Sequence, residues 1–264
     1  MQFLKPLDSP KRLLSFDFDG TLHDPGGEPP VPEELFERIL ILRKSHGAAW
    51  GVNTGRSLDH LLEGLADSGF PFLPDWAVTR EREIHFPAAD GWRSHQEWND
   101  RCARDIEELF DCNQLLLGRI RREMEEQTGA RWLTMDGEPA GVIAQTEEEI
   151  DWIIDRVKEY VDANSDLNWQ RNSIYLRFGH RRYNKGSSLS EVGRLLGVKA
   201  ADCFAIGDSH NDLEMLDGTH AAMVACPANS IDEIRDLVER SGGLVCKKAH
   251  GDAILEAFDH FFAK

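Results

Sequence analysis

Leu13-Leu14-Ser15-Phe16-Asp17-Phe18-Asp19-Gly20-Thr21 is the stretch that decides the fold. An apolar run that ends in two carboxylates and a glycine reads as a buried strand delivering chemistry at its C-terminal end. Along an extended backbone, side chains two apart point the same way, so Asp17 and Asp19 can face one site. Gly20 allows a sharp turn behind them. Two converging acids repel unless a cation lies between them, and a hard divalent ion, magnesium first, suits oxygen ligands. The plainer alternative is a turn closing a strand, because Asp-Gly is a common turn dipeptide. Further strands ending in polar groups argue against it.

Downstream, Pro25 to Pro32 is rich in glycine and proline and reads as a loop. A helix is expected from about Pro32, with Glu33 and Glu34 at its positive end, an apolar stripe of Leu35, Ile39 and Leu42, and a stop at Gly47. Ala48-Ala49-Trp50-Gly51-Val52 is a second candidate strand, ending in Asn53-Thr54-Gly55-Arg56 before a helix carrying Leu58, Leu61, Leu62 and Leu65. Strand, helix, strand, helix predicts a parallel sheet flanked by helices.

From Glu81 the grammar changes to hairpin-like pieces, with Asp90-Gly91 and Asp136-Gly137 as turn candidates. From Cys112 the expected order is helix, strand pair, helix, strand pair. The strand pairs are Arg131 to Met135 with Gly141 to Gln145, and Leu167 to Arg171 with Ile174 to Phe178. The second helix opens on the capping box Thr146-Glu147-Glu148-Glu149 and carries Ile150, Ile153, Ile154 and Val157 on one face. This predicts an α+β insert at 81–183 within an α/β core made of 1–80 and 184–264. The core grammar returns at Lys185-Gly186-Ser187. Cys203-Phe204-Ala205-Ile206 then delivers Gly207-Asp208-Ser209-His210-Asn211-Asp212, and Met223 to Cys226 and Leu244 to Cys246 complete the sheet.

Strand ends of a parallel sheet gather on one edge, where open α/β folds bind ligands. That edge would collect Asp17, Asp19, Thr54, Asp208 and Asp212, with Lys185 within reach ahead of its helix. Carboxylates, a hydroxyl and an ammonium are the set that holds a metal and a phosphoryl group together.

Bulk properties agree. The 264 residues suffice for one large domain or a core carrying an insert. A formal net charge of −17 argues against a nucleic-acid partner, since no basic surplus neutralises phosphates. A small phosphorylated metabolite stays open, because its charge can be met locally. Five cysteines without C-x-x-C spacing predict free thiols in a reducing compartment. No apolar run approaches membrane-spanning length and no secretory segment is evident, so a cytoplasmic protein without a membrane partner is expected. The sequence gives no handle on oligomeric state.

The chain resembles the haloacid dehalogenase superfamily in its phosphatase branch. Four motifs stand in the family's order: Asp17-Phe-Asp-Gly-Thr, Thr54 in Asn-Thr-Gly-Arg, Lys185, and Gly-Asp208-Ser-His-Asn211-Asp212. The resemblance covers about residues 11–80 and 184–252. It implies a Rossmann-like parallel-sheet core with an inserted type 2 cap, similar to those of Cof-type and sucrose-phosphate phosphatase-like hydrolases. It implies Asp17 as the nucleophile that becomes an aspartyl-phosphate and Asp19 as the acid and base. Magnesium would be held by Asp17, the Asp19 backbone carbonyl, Asp208 and Asp212. Thr54, Gly55, Lys185 and Asn211 would hold the phosphoryl group.

Arg56, Arg177, Arg181 and Trp169 are candidate substrate contacts. Arg177 and Arg181 stand in the most basic run of an acidic chain; the plainer reading is a solvated hairpin end for them and packing for Trp169. The resulting expectation is a magnesium-dependent phosphomonoester hydrolase acting on a small metabolite, a sugar phosphate first. The alternatives are a sugar phosphomutase on the same core and a non-catalytic phospho-ligand binding or signalling protein.

Overall fold

The computed structural model describes residues 1–135, 138–161 and 166–262, and Asp136-Gly137 lies outside the described residues. The chain begins with β1 (Gln2–Phe3), β2 (Arg12–Phe16), α1 (Glu33–His46), β3 (Ala48–Asn53) and α2 (Leu58–Asp67). Next come β4 (Phe72–Leu73), β5 (Trp76–Thr79), β6 (Glu83–Ala88), β7 (Gly91–Ser94) and the long helix α3 (Gln96–Gln127). β8 (Arg131–Met135), β9 (Glu138–Ile143), α4 (Glu147–Tyr160), β10 (Leu167–Asn172) and β11 (Tyr175–His180) follow. The chain closes with α5 (Lys185–Leu196), β12 (Cys203–Ile206), α6 (Leu213–Leu216), β13 (Met223–Cys226), α7 (Asp232–Arg240), β14 (Leu244–Val245) and α8 (His250–Phe262).

Two compact units result, residues 1–98 with 184–264, and residues 99–183. In the first, eight strands pair in the order β14-β13-β12-β2-β3-β5-β6-β7. The six from β14 to β5 are parallel. β6 and β7 extend the sheet as an antiparallel hairpin. This moves the division between units from the expected residue 81 to Trp98. The hairpin grammar beginning at Glu81 belongs to the edge of the core sheet, because β6 finds its partner in β5 and turns at Gly91, φ 129°. Such a hairpin and an insert share one local pattern, and only the pairing partner tells them apart.

β2 is central and almost fully buried, as its apolar run requires. Phe16 packs edge-on against Phe204 and Phe258 at centroid distances of 6.1 and 6.0 Å, and Trp50 stacks on Phe70 at 5.7 Å. Each such side chain contributes roughly 1.5–3 kcal/mol by leaving water. Gly51 makes room for a neighbour, since a Cβ there would lie 2.2 Å from the Trp76 ring. α1 buries Leu35, Ile39 and Leu42 and ends at Gly47, φ 62°, a left-handed stop that glycine takes at no steric cost.

The second unit is a four-stranded antiparallel sheet, β10-β11-β9-β8, with two helices. Its first helix starts at Gln96, well before the expected Cys112. α4 is capped by Thr146, whose side chain accepts from the Glu149 N–H, and buries Ile150, Ile153, Ile154 and Val157. Trp132 stacks on Phe178 at 5.7 Å, and Trp169 stands opposite Phe178 across β10 and β11, on the same face. Arg177 belongs to the other face, opposite Gln170 and Gly141. The Arg181 N–H donates to the Asp166 carbonyl at 2.7 Å. Cys203, Cys226 and Cys246 are buried free thiols. Among the described residues, no helix is long and apolar enough to cross a membrane.

Candidate active site

β2 does not stop at Phe16: the Asp17 N–H still donates to the Ile206 carbonyl at 3.0 Å, so the sheet carries Asp17 to its C-terminal edge. Beyond it the chain turns at Gly20, φ 80°, where a Cβ would lie 2.6 Å from Asp208 Oδ2. Glycine is needed there twice over, for the left-handed backbone and for the close approach of an acid. The Thr21 hydroxyl donates to Asp208 Oδ1 at 2.6 Å, tying the first motif to the fourth.

The loop after β12 arranges itself around Asp212. Its Oδ2 accepts from the backbone N–H groups of Asp208 and Ser209, both at 3.0 Å. Gly207 leaves space for it, since a Cβ would stand 2.3 Å from the Asp212 carboxyl carbon. The other oxygen, Oδ1, faces Lys185.

Lys185 is the centre of the arrangement. It opens α5, whose N-cap Asn184 accepts from the Ser187 N–H. The Asn53 amide donates to the Lys185 carbonyl at 2.9 Å. Its ammonium, fully buried, donates to Asp17 Oδ1 at 2.6 Å and to Asp212 Oδ1 at 2.7 Å. Burial alone would discharge it, but Asp17 and Asp212 outweigh that cost and raise its pKa, keeping it protonated. Asp17 is itself raised well above the usual carboxylate range, first by burial and then by Asp212 and Asp208. Asp208 is pushed up to about 6 by burial and by Asp212, against the Thr21 hydrogen bond.

Asp17, Asp208 and Asp212 offer oxygens within 4.8 Å of one another. Three carboxylates thus cluster around one ammonium, an excess of two negative charges at full ionisation, and the raised pKa values of Asp17 and Asp208, set first by burial, carry a share of that crowding. A divalent cation with oxygen preference fits both the donor set and the charge deficit.

The Asp19 carboxylate takes a different direction. Both of its oxygens accept from Arg56, Oδ2 from Nε at 2.8 Å and Oδ1 from Nη2 at 2.6 Å. Thr54, 1% exposed, directly follows β3, and its hydroxyl accepts from the Arg56 N–H at 3.2 Å. Gly55 lies between the two. Ser57 rather than Thr54 caps α2. Asn211, 2% exposed, donates from Nδ2 to Glu81 Oε1 at 2.8 Å. The first unit thus holds Asp17, Asp19, Thr54, Gly55, Arg56, Lys185, Asp208, Asn211 and Asp212. Trp169, Arg177 and Arg181 lie in the second. Glu81, 3% exposed, escaped the sequence reading, since it belongs to no motif and follows β5 in a turn without glycine.

Residues 131–258 match the family model of haloacid dehalogenase-like hydrolases. Over those residues the chain is similar to the haloacid dehalogenase-like hydrolases. It is 37% identical over 78 residues to a phosphoglycolate phosphatase of Methanothermobacter thermautotrophicus, covering 30% of this chain and 33% of that protein. A second phosphoglycolate phosphatase, from Methanobrevibacter smithii, is 33% identical over 103 residues, or 39% of this chain and 40% of that one. The chain thus spans about a third to two fifths of the length of the curated relatives it matches.

Among solved structures, the sucrose-phosphatase of Synechocystis sp. PCC6803, in complex with sucrose and phosphate, superposes with a TM-score of 0.70 at 20% identity. That match covers 96% of this chain and 98% of the other. A haloacid dehalogenase-like hydrolase from Bacillus subtilis gives a TM-score of 0.65 at 16% identity, covering 100% and 96%. At these identities the structural likeness establishes the fold.

Proposed function

We propose that this chain is a magnesium-dependent phosphomonoester hydrolase that works through an aspartyl-phosphate on Asp17. The observation that carries the reading is the buried bridge from Lys185 to Asp17 and Asp212, with Asp208 within 4.8 Å. A lone structural ion pair would need one carboxylate. Three around one ammonium is an arrangement that stays costly until a cation and an anionic ligand complete it.

Asp17, Asp208 and Asp212, with the Asp19 backbone carbonyl, would hold the metal, which supplies positive charge beside the phosphoryl oxygens. Asp17 forms the new oxygen–phosphorus bond as the bond from phosphorus to the leaving oxygen breaks. Asp19, protonated and turned from the Arg56 clamp, would give its proton to that oxygen, then take one from a water whose oxygen bonds to phosphorus as the Asp17 oxygen–phosphorus bond breaks. Lys185, Thr54, Gly55 and Asn211 hold the phosphoryl oxygens, where a fixed donor stabilises gathering charge without reorganising. The substrate is a small phosphorylated metabolite. Sugar phosphates and 2-phosphoglycolate are the first candidates, supported by the names of the structural neighbour and of the curated relatives. Arg177 and Arg181 remain the proposed specificity contacts, while Trp169 shares the face on which Trp132 stacks on Phe178, as the packing reading has it.

The test is phosphate release from a panel of sugar phosphates, 2-phosphoglycolate, other phosphoacids and nucleotides, with magnesium and with chelator. Magnesium-dependent release, abolished by Asp17→Asn, is expected. A folded, magnesium-binding chain that releases phosphate from nothing would overturn the reading.

A further inference from the structure

The turn after β5 sets two residues with side chains in left-handed backbone, Arg80 at φ 47° and Glu81 at φ 64°. Glycine would take these conformations without strain, and strain of this kind persists only where the surroundings over-determine it. Here they do. The Arg80 N–H donates to the Arg56 carbonyl and the Glu81 N–H to the Thr54 carbonyl, each at 2.9 Å. The Ser188 hydroxyl donates to the Glu81 carbonyl at 3.2 Å. The turn is thereby bound to the loop after β3 and to the first turn of α5, the two segments that carry Thr54 and Lys185.

The side chain completes the link. Glu81 Oε1 accepts from Asn211 Nδ2 at 2.8 Å, with both residues buried. The Glu81 carboxylate also supports the charge of the Lys185 ammonium, so the tie lies within the electrostatic neighbourhood of the phosphate site.

We infer that Glu81 is a positioning residue of the phosphate site, fixing the orientation of the Asn211 amide toward the phosphoryl group. The inference rests on the phosphate-binding reading given above. The Asn211 side chain has little freedom of its own to keep: without an acceptor on Nδ2 its amide can turn over and offer oxygen where a donor is needed. A ligand held by fixed donors loses affinity when one of them is free to turn away.

The experiment uses the full chain with magnesium and reads three quantities. These are inorganic phosphate affinity by calorimetry, turnover of p-nitrophenyl phosphate, and Tm. Glu81→Gly removes the carboxylate while relieving the left-handed backbone, so it is the variant best suited to fold. It should weaken phosphate binding about tenfold, as Asn211→Ala should, and the double variant should be no weaker than Asn211→Ala alone, because residues of one network are non-additive. Glu81→Gln keeps an oxygen for Asn211 and should recover most of the affinity.

Wild-type phosphate affinity in Glu81→Gly, even with a lowered Tm, would overturn the inference. So would losses that multiply in the double variant, or a Glu81→Gln variant as weak as Glu81→Gly. Phosphate binding without turnover in the wild type would remove the hydrolase reading and leave the Glu81 test intact. No phosphate binding by the wild type would sink both.

Discussion

Arg56 grips both carboxylate oxygens of Asp19, at 2.6 and 2.8 Å, while its guanidinium lies 4.6 Å from the centre of the Phe18 ring. The stacked ring and the paired fork hold the acid from two directions, which a lysine could not reproduce. Asp19 is thus set apart from the carboxylate that Lys185 engages, although only one residue separates Asp17 from Asp19. Two acids of one motif receive different environments, the usual way to give them different tasks.

If that division is functional, Arg56→Ala releases Asp19 and lowers kcat/KM for p-nitrophenyl phosphate by about 10- to 100-fold, the size of loss a misplaced catalytic group produces. Arg56→Lys should recover only part of it. Steady-state kinetics of the two variants decide the matter, and wild-type rates in Arg56→Ala would show that Asp19 does not depend on this clamp.

Lys185→Met should destabilise the protein strongly. The buried ammonium answers Asp17 and Asp212 at 2.6 and 2.7 Å. Removing one side of such a buried cluster costs roughly 3–5 kcal/mol. Asp17→Asn should behave in the opposite way. The folded pKa of Asp17 lies above its ordinary value, so ionising it works against the fold as pH rises through that folded pKa. The amide removes that cost, and metal-free Asp17→Asn should melt no lower than wild type. Thermal melts in chelator separate the two, and a clear drop for Asp17→Asn would show that the Lys185 contact outweighs the crowding.

Gly20→Ala tests the close approach at the first motif. The added methyl would meet Asp208 Oδ2 at 2.6 Å in a backbone at φ 80°, so Asp208 or the turn must move. A left-handed alanine alone costs about 1–2 kcal/mol. Magnesium affinity, read by calorimetry, should fall together with Tm. A variant that keeps full magnesium affinity would remove Asp208 from the metal set.

Charging the buried histidines in acid should loosen the fold. Burial lowers the pKa of His85, His180 and His220 below 6.5. The folded chain then binds fewer protons than the unfolded one, so the stability these groups contribute is full above 6.5 and declines as pH falls toward their folded values. His85 holds its Nε2 at 2.9 Å from the Thr79 hydroxyl on β5. Asp208, pushed up to about 6, and Glu214, pushed up to about 7, act with the opposite sign as they protonate, so the measurement is a difference. Between about pH 7 and pH 5 the urea midpoint of His85→Gln should fall less, or rise more, than that of wild type. An unchanged slope in His85→Gln would assign the effect to the other two histidines.

Much of the site was legible along the chain because its parts are local. Asp17 and Asp19 close an apolar strand, Thr54 closes another, and Asp208 and Asp212 follow a third. Parallel pairing of β2 with β3 and β12 carries these ends to one edge without any detail of packing. Helix boundaries were readable for the same reason: Gly47, which stops α1, and Thr146, which opens α4, act within a turn of themselves. The start of α3 was less so, since polar helices lack a sharp local signal at their first turn.

By itself, the sequence determined the strands that carry the four motifs, the helices between them and the acidic character of the site, all of which depend on near neighbours in the chain. Tertiary structure alone decided three things. The hairpin of β6 and β7 joined the core sheet because β5 offered it an edge. Asp19 turned to Arg56, 37 residues away, while Asp17 met Lys185, 168 residues away. Glu81 reached Asn211 across 130 residues. Charge and hydrogen-bond partners act over a few ångströms of space whatever the separation in sequence, so a carboxylate's neighbours exist only once the chain has folded.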